Sequence, residues 1–184
     1  MERLSEPVPG VLELRARVFE DSRGSFSETF SRRTMAGLGV DLEFCQDNES
    51  YSAITGTVRG LHLQAEPHAQ GKLVRVLRGA IFDVAVDIRP ESATFGQHTS
   101  VELKAGDNRA LWIPAGFAHG FCTLADETVV SYKATDFYAP DCERSIRFDD
   151  PDLGIDWPVD SADAVLSDKD AAAPSFAEFL QELR

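Results

Sequence analysis

Between residues 43 and 134 the chain divides into short runs of five to nine residues, too short for helices and rich in alternating apolar side chains. The runs are Phe44 to Ser52, Val58 to Gln64, Leu73 to Leu77, Ala80 to Ile88, His98 to Leu103, Arg109 to Ile113, Gly120 to Leu124 and Thr128 to Ala134. Turns at Arg78-Gly79, Ala105-Gly106-Asp107-Asn108 and Pro114-Ala115-Gly116 separate several of them. Alternation with period two marks strands with one face buried, and many such strands without helices between them form an antiparallel sandwich or barrel. The expected fold is all-β, an antiparallel jelly-roll barrel with short peripheral helices and a short C-terminal helix.

The flanks carry their own signals. Pro7-Val8-Pro9-Gly10 reads as a turn-rich entry, residues 11 to 19 as one strand, Asp21 to Gly24 as a turn and Ser25 to Phe30 as a second strand. Ser31 is placed to N-cap a short helix through Leu38. From about Asp149 the chain becomes loop-rich until Ser175 and Glu178, an S-x-x-E capping box, open a helix with the stripe Phe176, Phe179, Leu180 and Leu183.

With 184 residues and 43% hydrophobic content, residues 1–184 are expected to form a single domain. The net charge of −13 argues against nucleic acid or an anionic membrane surface as partner. An anionic small molecule would need cations gathered locally. Cys45, Cys122 and Cys142 are odd in number and widely spaced, which predicts reduced, packed thiols. The N-terminus has no apolar leader pattern and no run reaches the roughly eighteen apolar residues of a membrane span, so a cytoplasmic protein is expected.

Val58 to Lys72 gathers two cations, two histidines and two glutamines in fifteen positions. Alternation puts His62 and Gln64 on one face and Leu61 and Leu63 on the other. Lys72 shares a face with Val74 and Val76, although a strand-end lysine is ordinarily solvated. Strict alternation turns Arg59 away from His62; a bulge at Gly60 would bring both to one side. Gln46, Asn48 and Ser50 alternate on one strand face, ordinarily a solvent face. His119, in a turn flanked by aromatics, is as readily a hydrogen-bonded core residue as a ligand contact.

The Gly56-x5-His62 and Pro114-x-Gly116-x-x-His119 spacings are similar to the two motifs of the cupins, small β-barrels that often hold a metal. Gln64 stands where a second histidine ligand belongs, and no carboxylate follows at the expected place, so no metal is expected. A closer resemblance spans roughly residues 7 to 175. FEDSRGSFSETF, QDNESYS, VRGLHLQ with QGKLVRV, IFDVAVDIRPESATFGQ, LWIPAGFAHGF, YKATDFYAP and LSDKDAAAP resemble the dTDP-4-keto-6-deoxyhexose 3,5-epimerases of rhamnose biosynthesis.

That resemblance implies a cofactor-independent isomerase acting on a dTDP-linked 4-keto-6-deoxyhexose. The ketone acidifies the protons on carbons 3 and 5, because the carbanions delocalise as enolates. His62 matches the base, and an ordinary imidazole, titrating near about pH 6.5, needs no large shift for that task. The residues alone leave Asp170, Asp168 and Asp83 open as its orienting carboxylate; the resemblance selects Asp170. Tyr132 matches the proton donor, where packing is a strand tyrosine's ordinary role, and Lys72 matches the cation facing the oxyanion.

Arg23 and Arg59 match diphosphate contacts, and Glu28, Gln46, Asp47, Asn48, His119, Glu143 and Lys169 match nucleotide or sugar contacts. Phe19 and Phe26 could stack on thymine, with core packing the default for both. The resemblance also implies a homodimer that exchanges N-terminal strands, so that Arg23 would serve the partner's site. Leu63, Thr57 and Cys142 depart from the family pattern without removing a catalytic group. The alternatives are an epimerase acting at carbon 3 or carbon 5 alone and, from other classes, a metal-dependent cupin oxygenase or a non-catalytic sugar-nucleotide-binding module.

Overall fold

The alternating runs pair into two antiparallel sheets. A computed structural model describes residues 1–182. In chain order the elements are β1 (Glu2–Val8), β2 (Val11–Arg15), β3 (Val18–Asp21), β4 (Gly24–Ser27), α1 (Arg32–Gly37), β5 (Gln46–Ser52), β6 (Val58–Gln64), β7 (Lys72–Arg78) and β8 (Ala80–Asp87). They continue with β9 (His98–Lys104), β10 (Arg109–Ile113), β11 (Phe117–Thr123), β12 (Thr128–Ala134), β13 (Glu143–Ser145), α2 (Asp168–Ala171) and α3 (Phe176–Glu182). One sheet has the order β1-β2-β10-β7-β12-β5, the other β13-β6-β11-β8-β9, and β3-β4 form a separate two-stranded ribbon.

Inward side chains of the two large sheets make the central core, with Val74, Val76, Leu111 and Val130 from one and Ile81, Ala85, Phe117 and Phe121 from the other. Such facing of alternate residues is what a sandwich requires. Both outer faces are also covered in part. Met35 of α1 packs with Leu12, Leu14, Leu73 and Trp112. The loop-rich tail wraps the second sheet: Phe176 and Phe179 pack on Leu61, Leu63, Val84 and Val86, while Phe148 packs on Val58 and Cys122. Phe179 is fully buried, and burial of such a ring contributes about 2–3 kcal/mol.

The Ser31 cap and the Ser175–Glu178 box form as the sequence predicts, with Ser175 N donating to Glu178 Oε2 at 2.8 Å and Glu178 N donating to Ser175 Oγ at 3.2 Å. Phe176 and Phe179 bury and Leu180 packs against them; Leu183, the last residue of the expected stripe, lies outside the described residues.

Several expectations are corrected. The turn expected over Pro7 to Gly10 is confined to Pro9 and Gly10, and residues 2–8 form the unanticipated β1, because edge pairing with β2 tolerates Pro7 where a central strand would not. Residues 11 to 19 are two strands, since Ala16 donates its N–H to Asn108 O and the chain leaves the large sheet there. Phe19 and Phe26, expected in the core, are 51% and 71% exposed, because the β3-β4 ribbon pairs only with itself. Of the cysteines, all free, only Cys122 is buried, and Cys45 is exposed rather than packed.

The arrangement turns on β6. His62 pairs with His119 and Arg59 with Phe121, so three residues of β6 span two of β11. A bulge at Gly60 absorbs the extra residue. Val58, Leu61 and Leu63 consequently all face the tail, while Arg59 and His62 share the opposite side. Gly60 has φ of +124°, and a Cβ there would lie 2.5 Å from Gly120 Cα and 2.7 Å from His119 O.

Gly60→Ala therefore combines a backbone clash with positive-φ strain, and a loss of about 3 kcal/mol or more is expected in chemical denaturation. Gly24 has φ of +129° with open space around it. Gly24→Ala isolates the strain and is expected to cost only about 1 kcal/mol. Equal losses for the two variants would contradict the close approach at Gly60.

Candidate active site

At one end of the sandwich the inward positions change from apolar to ionisable. The five-stranded sheet contributes Arg59 and His62 from β6, Asp83 from β8, His119 from β11 and Glu143 from β13; the facing sheet contributes Lys72 from β7, Tyr132 from β12 and Gln46 and Asn48 from β5. Register fixes these directions. Tyr132 pairs with Val74 and with Asn48, and Val74 belongs to the inner core. Gln46, Asn48 and Ser50 thus line the lumen rather than the solvent face that alternation alone suggests, while Asp47, Glu49 and Tyr51 point outward and are exposed.

His62 is fixed from outside its own sheet. The tail pairs with β6 (Val58 N to Val165 O, Leu61 N to Ile146 O) and delivers α2 beside His62. Ser167 caps α2, and Asp170 Oδ1 lies 2.5 Å from His62 Nε2 while Ser167 Oγ donates to Oδ2 at 2.9 Å. Burial alone would raise the Asp170 carboxyl. The hydrogen bond and charge of His62, with Ser167 and Lys169, outweigh burial and hold it below the ordinary carboxylate range. An ionised Asp170 requires the proton on the facing imidazole nitrogen, which leaves the other nitrogen as a lone-pair base.

Tyr132, on the facing sheet, is pushed above the ordinary phenol value by burial, against the opposing charge of Arg59 and together with Glu143. It therefore stays protonated at neutral pH and can donate. Lys72 keeps some exposed surface, yet crowding around its ammonium lowers its pKa to about 8, with Asp83 and Glu143 opposing the drop. Its Nζ is 3.4 Å from His62 O. Burial likewise lowers the His119 pKa, so the ring is neutral and bonds Asp83 Oδ1 at 2.7 Å through Nε2.

Other groups are committed to one another. Lys169 Nζ pairs with Glu143 Oε1 at 2.5 Å, and Tyr138 donates its hydroxyl to Glu143 Oε2 at 2.9 Å. These contacts hold Glu143 below its ordinary value against burial, which raises it. Gln46 donates to Asn48 Oδ1 at 2.9 Å and accepts from Tyr138 N at 2.9 Å. Arg59 donates to Ser52 Oγ at 3.1 Å and Tyr51 O at 2.9 Å, so the guanidinium reaches across to the facing sheet.

The structure thus brings together His62, Asp170, Tyr132, Lys72, Arg59, Gln46, Asn48, His119, Glu143 and Lys169. Three of the predicted residues lie elsewhere. Asp47 faces outward, 69% exposed, and pairs with Lys133 at 2.8 Å. Arg23 lies at the tip of the β3-β4 ribbon, 88% exposed and, among the described residues, bonded only to Asp21. Glu28 follows β4 outside both large sheets. Gln64, adjacent to His62 on the same face, ties loops together by donating to His68 O and Phe137 O and accepting from Ala139 N. Asp83, which the residues alone left open as a partner for His62, is bonded to His119 instead, and Tyr138 was not anticipated because nothing local marks it.

Comparison with known proteins agrees with this fold. The family described as dTDP-4-dehydrorhamnose 3,5-epimerase matches residues 5–178. A relative of that name from Sinorhizobium fredii is 52% identical over 165 residues, covering 90% of this chain and 84% of its own. One from Shigella flexneri is 47% identical over 179 residues and 97% of each chain. The crystal structure of dTDP-6-deoxy-D-glucose-3,5-epimerase from Legionella pneumophila, in complex with dTDP-4-keto-L-rhamnose, superposes with a TM-score of 0.92 at 44% identity, covering 99% of this chain and 96% of that one.

The His62–Asp170 bond makes an acid-side prediction. Asp170 binds its proton less tightly in the folded protein than in the unfolded chain, so its contribution to stability is complete above the ordinary carboxylate range and is lost as pH falls below it. Asp170→Asn is expected to cost about 2 kcal/mol at pH 7. In denaturant titrations the gap between variant and wild type should close as pH falls from about 5 to about 2. A gap independent of pH would show that the charge of Asp170 contributes nothing.

Proposed function

The chain belongs to the dTDP-4-dehydrorhamnose 3,5-epimerase family, and from that membership we propose how its own residues carry the reaction. It is an isomerase that inverts carbons 3 and 5 of dTDP-4-keto-6-deoxy-D-glucose to give dTDP-4-keto-L-rhamnose. The observation that carries the assignment of roles is the placement of a carboxylate-bound histidine on one sheet and a protonated tyrosine on the facing sheet, with one lysine between the two walls of the same lumen.

Inversion removes a proton from one side of a ring carbon and returns one from the other. His62 takes the proton at its free ring nitrogen, and Asp170 stabilises the imidazolium that forms. The electron pair moves onto the ketone oxygen, giving an enolate whose charge Lys72 faces. Because that charge is absent from the ground state, its stabilisation raises rate rather than mere binding. Tyr132 returns a proton from the opposite side, which leaves His62 protonated and Tyr132 as phenolate; His62 gives its proton to solvent and Tyr132 regains one before the same steps serve the second carbon. Each inversion is proton-neutral overall, and the exchange of both groups with solvent between inversions is what carries solvent hydrogen into carbons 3 and 5.

Among the residues gathered at the lumen, Lys72, Arg59 and Lys169 face Asp83, Glu143 and Asp170, which leaves no surplus of positive charge for a diphosphate. A chain of net charge −13 needs that surplus from elsewhere. In a homodimer that exchanges N-terminal strands, as expected from the sequence, the exposed Arg23 of the β3-β4 ribbon, paired with Asp21 in its own subunit, is the cation brought to the partner's lumen, together with the exposed Phe19 and Phe26.

Turnover in deuterium oxide is expected to place deuterium at both carbon 3 and carbon 5 of the product, whereas label at one carbon alone would favour the single-position reading. His62→Ala and Tyr132→Phe should each lower kcat by about 10²- to 10⁴-fold. Undiminished exchange in either variant would remove that residue from the mechanism.

A further inference from the structure

Among the described residues, two buried side-chain polar atoms lack a hydrogen-bond partner, Ser50 Oγ and Asp83 Oδ2, and both stand at lumen-facing positions. A hydroxyl left unpaired is a small cost. A carboxylate oxygen left unpaired on a side chain with no solvent exposure is a large one, and a nearby cation has to offset it.

Asp83 lies on β8 between Ile81 and Ala85, both part of the inner core, so its side chain points between the sheets. One oxygen is used: Oδ1 lies 2.7 Å from His119 Nε2, in a pair almost wholly removed from solvent. Lys72 shares the inner face of β7 with Val74 and so points into the same lumen, and of the negative charges acting on it that of Asp83 is the strongest. We propose that Asp83 is a positioning residue for the epimerisation, fixing the tautomer of His119 through Oδ1 and, through its second oxygen, keeping the Lys72 ammonium charged where the enolate forms. The inference rests on the reading of Lys72 as the group that faces the enolate oxygen.

The surroundings make the requirement specific. The charged and titratable groups at this end are Asp83 on β8, Glu143 on β13, His119 on β11, His62 and Arg59 on β6, Tyr132 on β12 and Lys169 and Asp170 on α2. Glu143 is already bonded to Lys169 and Tyr138, and Asp170 to His62 and Ser167. Asp83 alone among these carboxylates has an oxygen uncommitted. Burial lowers Lys72 to about 8 even with that charge present. Without it the ammonium would lose its proton close to neutrality, and a neutral amine stabilises an enolate poorly.

An Asp83→Asn variant keeps the shape and the acceptor toward His119 but removes the charge. The alkaline limb of its kcat/KM profile, measured with dTDP-4-keto-6-deoxy-D-glucose, is expected to move to lower pH by about one unit. The activity deficit should therefore grow from pH 6 to pH 9. Tyr132 cannot produce that limb, because it titrates above its ordinary value. Asp87 is a control on the same strand, equally buried and bonded to Arg89, Ser92 and Thr94; Asp87→Asn should lower stability and leave the limb in place. The same fractional loss at every pH in Asp83→Asn would overturn the inference.

A readout independent of turnover separates this inference from the reading of the reaction. In protein labelled with ¹⁵N-lysine, the Lys72 midpoint should fall in Asp83→Asn. An unchanged midpoint overturns the coupling to Asp83, whereas a lowered midpoint with an unmoved kinetic limb means that the charge of Lys72 is not used in the reaction. If Asp83→Asn does not fold, wild-type protein carrying ¹³C-aspartate still decides: the Asp83 carboxyl resonance should inflect at the Lys72 midpoint, and its absence there overturns the proposal.

Discussion

At Gly60 and Gly120 two strands approach more closely than any side chain on either would allow, and the site depends on that contact. The extra residue which β6 places there reverses the alternation within one strand. Leucines 61 and 63 can then meet the tail while Arg59 and His62 turn to the lumen. A regular strand would send Arg59 or His62 to the wrong side. The same stretch of β6 hydrogen-bonds to the tail through Leu61 and Ile146, so the bulge also sets where the tail crosses and where α2 presents Asp170.

From this geometry follows an electrostatic division of labour. Burial disfavours every charged form, and the protein corrects the effect selectively. Asp170 stays ionised because His62, Ser167 and Lys169 outweigh its burial, which orients the histidine as a base. Tyr132 is left to burial and keeps its proton. Lys72 falls between, lowered to about 8 and held from falling further by Asp83 and Glu143. A base with a lone pair, an acid with its proton and a charged lysine coexist near neutrality for these separate reasons, within one cluster of nearly balanced charge.

The fold was readable because its signals are local. Alternation marked strands Val58–Gln64, Arg109–Ile113 and Thr128–Ala134 to the residue, and the caps at Ser31 and Ser175 are short-range hydrogen bonds. Failures came where partners are distant. β1 exists because β2 lies beside it, β13 because β6 does, and neither pairing leaves a mark in its own seven or three residues. The polar face of β5 looked solvated because local sequence cannot distinguish water from a polar lumen. In the site, the pairing of His62 with Asp170 crosses 108 positions and was selected by family resemblance, while the direction of Arg59 followed from recognising that a strand glycine can host a bulge. Asp47 lies outside the lumen for a simple reason: alternation puts it opposite Gln46 and Asn48.

The central claim is that His62, Tyr132 and Lys72 converge on one sugar ring held between the two sheets. It is tested most directly by a crystal structure of the protein with dTDP-L-rhamnose, a product analogue that lacks the ketone and cannot react. The account predicts the ring between the His62 imidazole and the Tyr132 hydroxyl, with the oxygen on carbon 4 within hydrogen-bonding reach of Lys72 Nζ. A sugar bound with His62 and Tyr132 on the same side of the ring, or outside the lumen altogether, would contradict it.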